Sequence, residues 1–299
     1  MGPGVPVTAL LVVGDVVTDV VARPAGPLAP GTDTSAEIRL LPGGAAANVA
    51  CWAASSGAPE VRLLARVGAD SADWHRAALT AAGVRAHLVV DQQAPTGVVI
   101  AVVDRSAERS FLTDGGAANR LAAADWDDAL LAGAGWVHLS GYLFFTEAGR
   151  GVAARAFAAA REQGVRVSVD PASTGFLRDL GVARFLALVG SADLLLPNEP
   201  EAALLAGAAD PGEAARRLST PARTVAVTLG AAGALAARDG ELLARTPGLR
   251  ATAVDTTGAG DAFAGGYLAA LLAGAEVREA LAAGCRSGAR AVTRVGARP

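Results

Sequence analysis

Short apolar runs rich in Val and Leu recur along the chain, each closing on Gly, Asp, Pro or Asn, and most are followed by an Ala-rich stretch of helical character. They are Leu10 to Gly14, Val61 to Gly68, Trp136 to Gly141, Val165 to Pro171, Asp193 to Asn198 and Thr224 to Gly230. Runs this short and apolar on both faces read as buried parallel strands. Their alternation with helical segments predicts βαβ units. The expected fold is α/β, a doubly wound, mainly parallel sheet with helices on both faces. At 299 residues the chain is long enough for a single such domain over positions 1–299, burying about 75% of its unfolded surface.

Ligands of doubly wound sheets bind just outside the carboxyl ends of the strands, so the polar residues ending these runs are candidates by position alone. Two stretches break the alternation, from about Val16 to Leu41 and from about Pro95 to Thr113. They carry Pro and Gly turns and the strand-like pieces Glu37 to Leu41, Val98 to Val103 and Arg109 to Thr113. A small β lid over the strand ends is expected from positions 16–41 and 95–113. It is also the expected surface for pairing into a homodimer.

Composition removes several chemistries. All 26 basic residues are Arg, so any mechanism built on lysine, from a Walker A phosphate loop to a Schiff base, is excluded. A formal charge of -3 gives no polycationic surface, and nucleic acid is not an expected partner. His75, His87 and His138 stand singly, and Cys51 and Cys285 lie far apart, which argues against a dedicated zinc site. Two cysteines do not make a disulfide framework, so a reducing, cytoplasmic setting is expected. The N-terminus lacks the basic region of a signal peptide. The longest uncharged apolar stretch, Ala262 to Ala275, falls short of the roughly 18 residues of a membrane span.

Two glycine-rich turns carry the chemistry. From Ala251 the sequence reads as a strand ending at Asp255, a tight loop through Thr257, Gly258, Ala259 and Gly260, then a helix opening with Asp261. Phe263, Tyr267, Leu268, Leu271 and Leu272 are spaced as one apolar helical face. Gly258 and Gly260 allow close backbone approach, and the free amides of the helix start form an anion site without lysine. Asp261 in that first turn has an ordinary reading as a helix-stabilising carboxylate. The second turn, Pro42-Gly43-Gly44, opens an Ala-rich helix, and Asn48 presents a donor and an acceptor one turn in, a combination suited to polyols. Close helix packing is the plain reading of those glycines.

In order and partnership, Gly43-Gly44-x-x-x-Asn48 and Asp255-Thr-x-Gly258-Ala-Gly260-Asp261-x-Phe263 resemble the two signatures of the ribokinase-like (PfkB) carbohydrate and nucleoside kinases. Intermediate landmarks resemble the family in sequence order: Gly14 to Asp19, Asp170-Pro171, Asn198-x-x-Glu201, Thr228-Leu-Gly230-Ala-Ala-Gly233 and Val292 to Ala297. The resemblance implies an ATP-dependent kinase acting on a hydroxymethyl group of a small sugar, with Asp261 as general base and Gly258, Ala259 and Gly260 holding the transferring phosphoryl. It further implies Asp19, Gly43, Gly44 and Asn48 at the acceptor, and Thr228, Gly230 and Gly233 along the nucleotide. Asn198 and Glu201 match the element linked to Mg²⁺ and phosphate through water. Asp255 and Thr257 resemble the loop that holds a monovalent cation such as K⁺. Family members usually carry Gly at the position of Asp73.

Four other readings compete. A nucleoside acceptor would satisfy the same Asp19 and Asn48, with Trp52, Phe111, Tyr142 and Phe144 as the aromatic side chains for base stacking. A sugar bearing phosphate or carboxylate would call for an Arg cluster, which Arg39, Arg105 and Arg109 on the lid could supply. A non-catalytic sugar-binding regulator has no use for a base beside an anion hole. The segment Val13-Gly14-Asp15-Val16-Val17-Thr18 also lacks the G-x-G-x-x-G of a dinucleotide-binding dehydrogenase.

Overall fold

The structure is a computed structural model that describes residues 9–103, 109–219 and 224–299. Its first part runs β1 (Ala9–Val13), β2 (Val17–Pro24), β3 (Ala36–Gly43), α1 (Ala45–Ser55), β4 (Glu60–Gly68), α2 (Ala72–Ala81) and β5 (Val84–Asp91). Next come β6 (Thr96–Val103), β7 (Arg109–Gly116), β8 (Ala134–Ser140), α3 (Glu147–Gln163), β9 (Arg166–Asp170), α4 (Thr174–Leu180), α5 (Val182–Leu188) and β10 (Leu194–Leu195). The chain then forms α6 (Glu199–Ala206), α7 (Pro211–Ser219), β11 (Thr224–Thr228), β12 (Ala234–Arg238), β13 (Glu241–Thr246), α8 (Ala259–Leu272) and α9 (Val277–Ala291).

Nine strands make the large sheet, in the order β13-β12-β11-β10-β9-β8-β1-β4-β5. All neighbours from β11 to β5 pair in parallel, and the β12–β13 hairpin adds an antiparallel edge. Each of the six expected strands is present. Chain order grows outward in both directions from the β1–β8 pair, so the topological switch point lies there, where α/β sheets bind ligands. Ser140 Oγ at the end of β8 donates to Asp15 Oδ1 just past β1 at 2.9 Å, closing that crevice.

Burial divides the core between the two faces of the sheet. One side packs Val152, Ala156 and Ala160 of α3 with Leu177, Phe185 and Leu205 of the following helices. The other holds α1, α2, α8 and α9 through Val49, Leu79, Phe263, Tyr267 and Leu281. Residues Ala262 to Ala269 of α8 are buried without interruption, so the single apolar face expected from Phe263, Tyr267, Leu268, Leu271 and Leu272 is replaced by burial all round. The reason is steric. Gly265 lies against the α1 backbone and Gly266 against Ser287 of α9, and a Cβ on either would come within 2.7 Å of its neighbours. Glycine on adjacent positions lets α8 wedge between two helices.

A second sheet, in the order β3-β2-β6-β7, is built from the two stretches that interrupt the alternation. Ile38, Leu40, Phe111 and Leu112 are exposed on it, as expected of a lid-like ribbon. The strand expected to end at Asp255 is absent. Residues 247–254 take irregular backbone, and the amides of Val254 and Asp255 donate to the Val292 carbonyl beyond α9 instead of joining a sheet.

Candidate active site

Asp170 at the end of β9, Asn198 after β10 and Thr228 at the end of β11 reach one side of a cavity of about 110 Å³, and Gly260 and Asp261 reach it from α8. Ala172, Leu196, Glu201 and Phe263 complete its lining. Asn198, Glu201, Thr228, Gly260 and Asp261 are thus brought together as expected. Asp170 joins them through a tight turn, its Oδ1 accepting from the Ala172 amide at 2.8 Å. Ala172 holds φ 74, a left-handed conformation that costs a non-glycine residue energy and marks a constrained loop.

Gly258 caps α8 with φ 71, and a Cβ there would strike Ala297 at 2.7 Å. Among the described residues the amides of Gly260 and Asp261 find no acceptor, as in any first helical turn. Gly260 has no atom near its missing Cβ, so this turn opens into the cavity. These amides carry the positive end of the helix dipole and suit an anion.

Asp261 is partly buried, and its Oδ2 accepts from Asn48 Nδ2 at 2.9 Å. Burial, opposed by that hydrogen bond and reinforced by Asp15, Asp19 and Glu201, pushes its carboxyl up to about 7. An ordinary helix-stabilising carboxylate would not be raised in this way. Glu201 is raised chiefly by burial, while Asp170 is raised by burial and then by Glu201 and Asp261. Asn198 and Glu201 form a reciprocal capping box on α6, each backbone amide donating to the other's side chain at 2.9 to 3.0 Å. That accounts for their spacing but not for three carboxylates at one cavity. Such a donor set suits a hard cation that keeps its waters, and Mg²⁺ fits it. Among the described residues no three His, Cys, Asp or Glu side chains form a direct metal cage.

The residues expected at the acceptor form a second group joined to the first by Asn48. The Asp19 carboxylate lies over Gly43, where a Cβ would come within 2.3 Å of it, and burial pushes Asp19 up to about 6 against the pull of Arg298. Gly44, at φ 101, sits against the Asp15 carbonyl. Sequence reasoning passed over Asp15, which stood only within a landmark. Its Oδ2 accepts from the Ala45 amide at 2.7 Å, capping the helix that carries Asn48. It also passed over Arg298, whose Nη2 donates to the Gly43 carbonyl at 2.8 Å.

The remaining expected residues stand further out. Gly230 is exposed on the turn after β11, and Gly233 is pressed against the Thr246 carbonyl, which explains it as a close backbone approach. Asp255 Oδ1 accepts from Thr257 N at 2.8 Å and Oδ2 from Gly296 N at 3.1 Å, tying two loops together. Of the aromatic candidates, Trp52 and Phe144 are fully buried, Phe111 is exposed, and Tyr142 packs edge-on to Phe145 and Phe176. Arg39 pairs with exposed Glu37 at 2.7 Å. Arg105 and the Arg109 side chain lie outside the described residues.

A parallel sheet with a four-stranded lid-like ribbon, and a glycine turn that opens a helix with a raised Asp, together define the ribokinase-like class of small-molecule kinases. The chain belongs to the PfkB family: the profile described as "pfkB family carbohydrate kinase" matches residues 7–299. It is therefore a phosphotransferase with an alcohol group as acceptor. It is 32% identical over 276 residues to a ribokinase from Haemophilus influenzae, covering 89% of this chain and 86% of the relative. The fold is similar to that of an adenosine kinase from Sinorhizobium meliloti, with a TM-score of 0.89 at 23% identity over 98% of this chain and 96% of the other. It is also similar to a putative ribokinase II from E. coli solved with ATP and Mg²⁺, with a TM-score of 0.86 at 24% identity over 97% and 94% of the two chains. Among the described residues no helix is long and apolar enough to cross a membrane.

Proposed function

We propose that the protein transfers the γ-phosphoryl group of ATP to a hydroxymethyl group of a small sugar or sugar derivative, with Asp261 as general base. One observation carries the reading. The raised Asp261 carboxyl lines the cavity that holds Asn198, Glu201 and Thr228, and it also touches Asn48 on the acceptor side. A base placed between two binding regions is what in-line transfer from a nucleotide to an alcohol requires.

Asp261 takes the hydroxyl proton as the acceptor oxygen bonds to the γ-phosphorus, and the bond from that phosphorus to the bridging oxygen breaks to release ADP. The amides of Gly258, Ala259 and Gly260 stabilise charge on the transferring oxygens, that of Ala259 on leaving the Thr256 carbonyl it faces at 3.4 Å, and the free Asp261 amide adds to them. Asp19, Gly43, Gly44 and Asn48 receive the acceptor's hydroxyls, while Thr228, Gly230 and Gly233 wall the nucleotide. Asn198 and Glu201 would hold Mg²⁺ through water, and the ion supplies charge neutralisation on phosphate when bound. The Asp255–Thr257 loop is the candidate seat of a monovalent cation such as K⁺.

Residues 1–299 act in this reading as one ribokinase-like domain, with a lid from about 16–41 and 95–113 whose exposed apolar residues offer a homodimer contact. The two buried free cysteines suit a reducing, cytoplasmic compartment. Burial of Trp52 and Phe144 removes two of the side chains that could stack a base, which favours sugar over nucleoside. An ADP-release assay across sugars and nucleosides tests this directly. Mg²⁺-dependent turnover with a sugar supports the reading, nucleoside-only turnover replaces the acceptor, and tight sugar binding without turnover points to a regulator.

A further inference from the structure

A guanidinium stands among the acceptor-side residues. Arg298 Nη2 donates to the Gly43 carbonyl at 2.8 Å, and its Nε faces Asn48 Oδ1 at 3.4 Å. From the other end of the same amide, Asn48 Nδ2 donates to Asp261 Oδ2 at 2.9 Å. A guanidinium can only donate and an ionised carboxylate can only accept, so the amide between them has a single satisfactory orientation. Reversed, it would set donor against donor at Arg298 and acceptor against acceptor at Asp261.

The backbone that delivers Arg298 is fixed on both sides. Gly296 N donates to Asp255 Oδ2 at 3.1 Å, and Trp52 Nε1 donates to the Ala297 carbonyl at 2.8 Å. Ala297 also abuts Gly258 at the start of the anion-binding turn. This strap would hold without a buried charge at 298. Arg298 Nη1 is buried with no partner among the described residues, a cost that packing alone does not explain.

We infer that Arg298 is a positioning residue for phosphoryl transfer: it holds the Asn48 amide with its NH₂ group aimed at Asp261 Oδ2, leaving the other carboxylate oxygen to take the acceptor's proton. The inference rests on the proposed role of Asp261 as base. Its physical consequence follows from what surrounds that base. Asp15 beyond β1, Asp19 on β2, Asp170 on β9 and Glu201 on α6 all disfavour the ionised form, Tyr142 stands near, and the Asn48 NH₂ group opposes them. If the amide could turn, a protonated Asp261 would donate to Asn48 Oδ1, which would stabilise the form unable to act as a base. Arg298 forbids that arrangement.

Arg298→Met keeps the aliphatic stem and removes the donors. It is expected to lower kcat by about tenfold, with the KM for ATP changed less than about twofold, and to move the acid limb of the pH–rate profile up by about half to one unit. In an Asn48→Ala background the same change should have little further effect, because the two residues act in series. Arg298→Lys, which keeps the charge but cannot span Gly43 and Asn48, should behave like Met, and it serves if Met does not fold. Additive losses in the double-mutant cycle, or an unmoved acid limb, overturn the inference. If Asp261→Asn is inactive while the cycle is additive, only the role of Arg298 fails; if Asp261→Asn turns over normally, the base assignment fails first.

Discussion

Asn48 Nδ2 stands 2.9 Å from Asp261 Oδ2, a contact between residues 213 positions apart that joins the Gly43-Gly44 turn to the Gly258–Gly260 turn. Helix α1 delivers the amide and α8 the carboxylate, and each helix begins at a turn whose glycine makes room for a neighbour. In the proposed reaction the same hydrogen bond couples acceptor binding to the base.

The acid limb of kcat/KM should fall near pH 7, because burial raises the Asp261 carboxyl to about 7 and only the ionised form accepts a proton. Activity is expected to rise with pH through this range and to be largely lost at pH 5. A profile flat from pH 5 to 8 would show that a group of ordinary carboxylate acidity does the work.

Stability should run the other way. A carboxyl whose folded value is about 7 against an ordinary 3.8 binds its proton more tightly in the native state. The native fold is therefore favoured at low pH, and stability declines as pH rises from about 4 to about 7. Asp19, raised to about 6, adds to the same trend. Asp261→Asn, uncharged throughout, should melt above wild type at pH 8, with the gap closing toward pH 5. Equal melting differences at both pH values would contradict the raised carboxyl.

Asp19→Asn is expected to weaken acceptor binding far more than ATP binding. Each sugar hydroxyl that loses a charged acceptor forfeits roughly 1.5 to 3 kcal/mol. Calorimetry with each ligand separates the two effects, and equal losses would remove Asp19 from the acceptor site.

Gly265→Ala inserts a Cβ 2.7 Å from Val49 O, Ala53 N and Trp52 Cβ, with backbone atoms that cannot swing aside. Separating α8 from α1 should cost about 1 to 3 kcal/mol and lengthen the Asn48–Asp261 contact, lowering both melting temperature and kcat. A variant as stable and active as wild type would show that the helices have room to spare.

Much of this arrangement was legible from the sequence because it is written locally. The six runs are rich in Val and Leu and end at turn residues, although Arg62, Arg66 and Arg166 interrupt two of them, and the two glycine turns open helices in the positions expected. The hairpin β12–β13 was missed because Ala234-Leu-Ala-Ala-Arg238 lacks β-branched residues and looks helical. Its one clear signal was Asp239-Gly240, whose positive φ values of 49 and 82 fit a tight hairpin turn. Asp15 was visible as a strand-end residue, yet nothing local distinguishes a helix cap contributed from a neighbouring loop. Arg298 gave no signal at all, since a lone Arg acquires meaning only through Gly43 and Asn48, 255 and 250 positions away. The absent strand before Asp255 reflects competition for hydrogen bonds, which the Val292 carbonyl wins.

Turnover of Asp261→Asn at saturating ATP and acceptor tests the central claim most directly. The substitution preserves size and an oxygen that can accept from Asn48, but it cannot take a proton from the acceptor's hydroxyl. If Asp261 is the base, kcat should fall by about 10² to 10⁴ with both ligands still bound at close to wild-type affinity. Turnover within a few-fold of wild type would contradict the account, leaving Asp261 as a residue that merely begins a helix.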